Sequence, residues 1–96
     1  MGRIPVIRNF KCRKTARVFA GEHVAAFSGF SRQALKRLRI LEASDSITAL
    51  RGLPSNRLEM LAGDRAGQYS IRINQQWRIC FIWDDGARDV EIVDYH

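Results

Sequence analysis

The chain has 96 residues and a formal net charge of +6, with 46% hydrophobic and 27% charged side chains, ordinary proportions for a globular protein. A chain of this length buries roughly two-thirds of its unfolded surface, which supports one domain over residues 1–96 and excludes two separate cores. No apolar run approaches the roughly 20 residues of a membrane span, and Met1-Gly2-Arg3-Ile4-Pro5 lacks the apolar stretch of a secretory signal, so a cytoplasmic protein without a membrane partner is expected.

Val6-Ile7-Arg8-Asn9-Phe10 is β-branched and aromatic and predicts a first strand. Residues 11 to about 21 predict a helix that ends at Gly21, with Val18 and Phe19 facing inward. A second helix is predicted from about Ser31, read as its N-cap, to about Ala43. Its Ala34, Leu35, Leu38 and Leu41 recur at helical spacing and form a core stripe, while Arg32, Lys36 and Arg39 form a basic stripe on another face. Residues 44–56 are turn-rich and include Gly52 and Pro54, which predicts a loop with one irregular helical turn. Four β-type segments follow, Leu58–Leu61, Tyr69–Ile73, Trp77–Trp83 and Val90–Val93, with Asp84-Asp85-Gly86 as a hairpin signal. A three-residue loop at Asn74-Gln75-Gln76 would place Ile71, Ile73, Trp77, Ile79 and Phe81 on one face and Arg72, Arg78 and Cys80 on the other. The expected fold class is α+β, two N-terminal helices packed on an antiparallel β-sheet.

Charge is unevenly spread. Residues 1–40 hold ten basic side chains against one acid, Glu22, whereas residues 41–96 hold six basic and nine acidic ones. Thirteen of the sixteen cations are arginine, the side chain suited to bidentate contact with phosphate. A polyanion on the basic half and a second, differently charged partner are expected. An ordinary solvated surface is the competing explanation for such a run. Cys12 and Cys80 fit no metal or redox spacing and are expected to be reduced, structural thiols.

Most chemical motifs fail on spacing. Gly63-Asp64-Arg65-Ala66-Gly67 matches neither nucleotide-binding fingerprint and is expected to turn the chain between strands. The histidines, His23 and His96, are not at metal-ligand spacing, and Ser70 has no adjacent base, so no metal, cofactor or serine nucleophile is expected. What remains is Glu59, Arg78, Asp94, Tyr95 and His96. Cleavage of RNA by its own 2′-hydroxyl needs a base, a cation against the charge developing on the phosphate, and an acid for the leaving oxygen. A carboxylate, an arginine and a histidine supply those parts. Taken singly, Glu59 also reads as the wet side of a strand and His96 as a polar end.

From Val6 to His96 the chain resembles the HigB branch of the RelE-type bacterial toxins. The residues that carry the resemblance are Asn56-Arg57-Leu58-Glu59 through Leu61, Gly63-Asp64-Arg65-Ala66-Gly67-Gln68-Tyr69-Ser70-Ile71-Arg72, Trp77-Arg78-Ile79-Cys80-Phe81 and Val90-Glu91-Ile92-Val93-Asp94-Tyr95-His96. Residues 1–5 lie outside it as an N-terminal extension. The resemblance implies a RelE-like fold and a ribosome-dependent endonuclease that cuts mRNA in the A site of the 70S ribosome. It also implies a HigA-type helix-turn-helix antitoxin as partner. Arg78 falls on the family's phosphate-contacting arginine, and Asp94, Tyr95 and His96 on its C-terminal catalytic group. Glu59 stands where many relatives have histidine, though the related YoeB toxins have a glutamate base there. Ala62 stands where many have lysine, and Arg65 or Arg72 are the candidates to replace that cation. Arg32, Lys36 and Arg39 would join them in contacting RNA. The alternatives are a ParE-like, non-catalytic gyrase poison and a non-enzymatic module that binds RNA or the ribosome.

Overall fold

Apolar spacing decides which segments become regular structure. The computed structural model describes residues 4–94. In chain order these form helix α1 (Arg13–Phe19), helix α2 (Ser31–Ala43), a short helix α3 (Ile47–Arg51), and strands β1 (Glu59–Met60), β2 (Tyr69–Arg72), β3 (Trp77–Trp83) and β4 (Ala87–Asp94). The strands make one four-stranded antiparallel meander in the order β1-β2-β3-β4. Among the described residues, no helix is long and apolar enough to cross a membrane.

Helix α2 occupies the predicted span, but Ser31 is its first turn rather than its N-cap. Phe30 holds the cap position, and its carbonyl accepts from the Ala34 N–H at 2.9 Å. Packing fixes Phe30 there: its ring stacks on Trp77 with centroids 4.7 Å apart, and Phe27 meets the same indole edge-on at 5.6 Å. Ala34, Leu38 and Leu41 are fully buried, whereas Leu35 is only half-buried at the edge of the stripe. They close on Ile71, Ile79, Phe81 and Val90, all fully buried on the helix side of the sheet. Removing apolar surface on this scale, at about 25 cal/mol per Å², is the main force holding the two layers together.

Beyond the end of β2 the Ile73 N–H still donates to the Trp77 carbonyl at 3.0 Å, so three residues, Asn74-Gln75-Gln76, make the turn, and Arg72 pairs with Arg78 and Ile71 with Ile79, the expected register. The Asn74 carboxamide Oδ1 accepts from the N–H groups of Gln76 and Trp77, both at 2.8 Å, which locks that turn. At Asp84-Asp85-Gly86 the expected hairpin forms, with Asp85 at φ 52° and Gly86 at φ 133°.

Three further expectations change or sharpen. The loop over residues 44–56 contains a real helix, α3, because the Ser46 hydroxyl accepts from the Ala49 N–H at 3.0 Å and caps it. The strand expected at Leu58–Leu61 shrinks to Glu59–Met60. Val6–Phe10 is not a full strand but touches β4 through isolated parallel bridges, Ile7 to Ala87 and Phe10 to Val90. Between them Asn9 substitutes its side chain for the ladder, donating to the Asp89 carboxylate at 2.8 Å and accepting from the Asp89 N–H at 3.2 Å. Glu42 on α2 accepts from the Val6 and Ile7 N–H groups at 3.1 and 2.8 Å, tying this segment to the helices.

Candidate active site

Alternation along β2 and β3 sends Ser70, Arg72, Arg78 and Cys80 to the face turned away from the helices. Glu59 pairs with Ser70, Ser70 with Cys80, and Cys80 with Glu91, so these four form one row across the sheet. Arg72, Arg78 and Val93 form the next row. At the junction of the two rows lies a cleft of about 400 Å³ lined by Arg57, Glu59, Arg72, Asn74, Gln75 and Arg78. Mid-chain acid and strand guanidinium therefore meet in one place.

Arg78 is nearly buried, 8% exposed, and its geometry is set by hydrogen bonds. Its Nε–H donates to the Ser70 hydroxyl at 2.6 Å, and Nη2 donates to the Arg57 carbonyl at 2.6 Å and to the Ser70 carbonyl at 3.4 Å. Burying a cation without such acceptors would be costly. The Arg57 carbonyl reaches it because Arg57, which ends the 3₁₀ turn Pro54–Asn56, sits in the left-handed region at φ 44°, ψ 54°. Fully buried Asn56 secures that turn: its Nδ2 donates to the Leu50 carbonyl and its Oδ1 accepts from Arg37 of α2, both at 3.0 Å. The buried face of the helical layer thus determines where a guanidinium on the open face stands.

Three guanidinium groups against one carboxylate make the cleft cationic, suited to a phosphodiester. Arg72 lines it with its Nε–H donating to the Asn74 carbonyl at 3.1 Å. Glu59 is exposed at the rim and, among the described residues, its carboxylate has no ion pair.

Other predicted positions lie elsewhere. Arg65 is not among the cleft-lining residues; it reaches across the open face to Glu91 at 2.8 Å and to the Gln68 carboxamide at 3.1 Å. Between those groups, burial pushes the Cys80 thiol up from its ordinary value; Glu91 adds to the shift, while Arg65 and Arg78 oppose it. Asp94 pairs with Trp77 and therefore shares the helix-side face, opposite Arg78; its carboxylate accepts from Gln76 Nε2 at 2.9 Å. Tyr95 and His96 lie outside the described residues. Arg32, Lys36 and Arg39 are exposed on α2, in the layer on the far side of the sheet, around a shallow groove of about 430 Å³ with Leu35, Ile40 and Ala43.

Sequence reasoning missed Arg57, Ser70, Asn74 and Gln75. Ser70 had one available signal, a hydroxyl directly opposite a strand that carries an otherwise stranded arginine. For Arg57 no pattern signals a left-handed backbone.

Comparison with known proteins identifies the family. Residues 9–96 match the family model described as the RelE-like toxin of the type II toxin–antitoxin system HigB. Toxin HigB-1 of Vibrio cholerae is 38% identical over 69 residues, covering 72% of this chain and 73% of that protein. An uncharacterized protein of Haemophilus influenzae is 33% identical over 61 residues, 64% of this chain and 60% of its own length. The chain belongs to the HigB-like family of RelE-like toxins of type II toxin–antitoxin systems, which implies an antitoxin as its partner.

Proposed function

We propose that this toxin is an endoribonuclease that cuts mRNA in the ribosomal A site, the substrate's own 2′-hydroxyl serving as nucleophile. The observation that supports the reading best is the single cleft shared by exposed Glu59 and hydrogen-bonded Arg78. Glu59 takes the proton from the 2′-oxygen, which attacks the adjacent phosphorus. Arg78, already oriented, meets the charge that builds on the non-bridging oxygens and needs little reorganisation to do so. The bond to the 5′-oxygen breaks, and His96 returns a proton to that oxygen. The products are a 2′,3′-cyclic phosphate and a 5′-hydroxyl end. Tyr95 stacks on a base to position the linkage. Asp94, in this scheme, anchors the end of β4 through Gln76 and so fixes the point from which Tyr95 and His96 continue.

Arg72 adds a second contact to the RNA backbone, and the ribosome completes the positioning of the substrate. The α2 cations Arg32, Lys36 and Arg39 face away from the cleft and are placed to hold ribosomal RNA, a contact that weakens as salt rises. The partner that restrains the toxin is a HigA-type helix-turn-helix antitoxin.

Expression of wild type, Glu59→Gln and His96→Gln in cells, followed by mapping of mRNA 5′ ends, tests the reading. Wild type should generate new ends within translated frames, and each variant should lose them together with growth arrest. Arrest that persists in both variants without new ends would replace the endonuclease by a non-catalytic poison of gyrase or of the ribosome.

A further inference from the structure

Among the described residues, the left-handed backbone is adopted outside glycine by Arg57, Asp85 and Asp89. Two of these are aspartates, whose short side chain tolerates it; a long side chain there is unusual. Glycine would satisfy the same turn with less strain. At position 57, however, the side chain lines the cleft, while the carbonyl of the same residue accepts from Arg78. Strained backbone concentrated at such a place points to use of the side chain.

The other guanidinium groups nearby are engaged. Arg78 is bonded to Ser70 and to the Arg57 carbonyl, Arg72 to the Asn74 carbonyl, and Arg65 to Glu91. Among the described residues, the exposed guanidinium of Arg57 makes no hydrogen bond or ion pair. Its backbone is nevertheless held by the buried Asn56 and, through it, by Arg37. An arginine anchored at its root and uncommitted at its tip, beside a cationic cleft, is built to meet an anion.

We propose that Arg57 is a phosphate-contacting residue for single-stranded RNA, and that its backbone carbonyl simultaneously aims Arg78. The inference rests on the RNA-cleavage reading and extends it, since the guanidinium would grip a phosphate next to the scissile one. The planar fork suits two phosphate oxygens at once.

The test separates the two roles through Arg57→Gly, which keeps the left-handed backbone and the carbonyl but removes the charge, and Arg57→Lys, which restores the charge. In a Glu59→Gln background that prevents cleavage, a fluorescent single-stranded RNA oligonucleotide is titrated at several salt concentrations. Arg57→Gly should bind about tenfold more weakly and show a log–log salt slope shallower by about 0.7, the loss of one phosphate contact. Arg57→Lys should recover most of the slope, and neither variant should melt below the parent. On programmed ribosomes, Arg57→Gly with Glu59 intact should raise the half-saturating toxin concentration more than it lowers the maximal cleavage rate. Unchanged affinity and slope in Arg57→Gly, while the parent binds RNA, would overturn the proposal alone. A collapse of the maximal rate with unchanged affinity would also overturn it, leaving Arg57 a positioning residue only. A parent that shows no salt-dependent RNA binding would overturn the proposal, whereas the cleavage reading falls only if wild type generates no new mRNA ends.

Discussion

Ser70→Ala removes one oxygen from beneath the cleft and leaves the Arg78 Nε–H without its acceptor at 2.6 Å. Ser70 is fully buried, and deleting a hydroxyl there opens a space too small for a water, so solvent cannot replace the lost bond. Hydrogen bonds to a charged group contribute about 1.5–3 kcal/mol, and an orphaned buried donor costs about as much. The bonds from Nη2 to the Arg57 and Ser70 carbonyls remain, which holds the net loss to about 2 kcal/mol. For a domain of this size that is a fall in Tm of roughly 10 °C, readable by circular dichroism. Cleavage on programmed ribosomes should also drop, by about tenfold, because Arg78 is no longer confined to one orientation. Ser70→Thr keeps the hydroxyl and should retain most of the activity. A change in Tm of less than about 2 °C, with full cleavage, would refute the idea that Ser70 holds Arg78 in place.

Gly86→Ala should destabilise the fold by about 2 kcal/mol or more, since an added Cβ would lie 2.7 Å from the Val6 carbonyl oxygen at φ 133°; chemical denaturation measures it, and a neutral result would contradict the close approach. Cys80 should resist alkylation at neutral pH while half-exposed Cys12 reacts, because burial keeps the Cys80 thiol protonated; peptide mass spectrometry decides, and equal labelling rates would refute the assignment. Ala62→Lys places a cation in the loop after β1 and should speed cleavage several-fold; equal rates would refute the idea that a cation at this position helps neutralise the reacting phosphate.

The face assignment was legible from sequence because a two-residue period leaves a single register that keeps charges out of the core. Ile71, Ile79 and Phe81 on one side, and Arg72 and Arg78 on the other, follow from that alone. Glu59 and Arg78 could be singled out as candidates, but their meeting in one cleft required the β1–β2–β3 pairing, which is non-local. Asp94 illustrates the limit: its chemistry suggested the catalytic group, yet its pairing with Trp77 assigns it to the opposite face. Arg65 was grouped with the RNA contacts by charge, and only the three-dimensional fold reveals its ion pair with Glu91, 26 positions away in sequence. Val6–Phe10 has the composition of a strand, but Asn9 and Asp89 exchange side-chain bonds where ladder bonds would run.

The attachment of the N-terminal segment to β4 has a consequence for biosynthesis. Contacts such as Arg8 with Asp85, Asn9 with Asp89 and Thr15 with the Ile92 N–H join residues 77 to 80 positions apart. Because β4 is translated after every other element described, the N-terminal segment cannot dock and the sheet cannot be completed until that strand has left the exit tunnel. A nascent copy therefore carries its N-terminal segment undocked until β4 appears, and closing the fold is a late, long-range event.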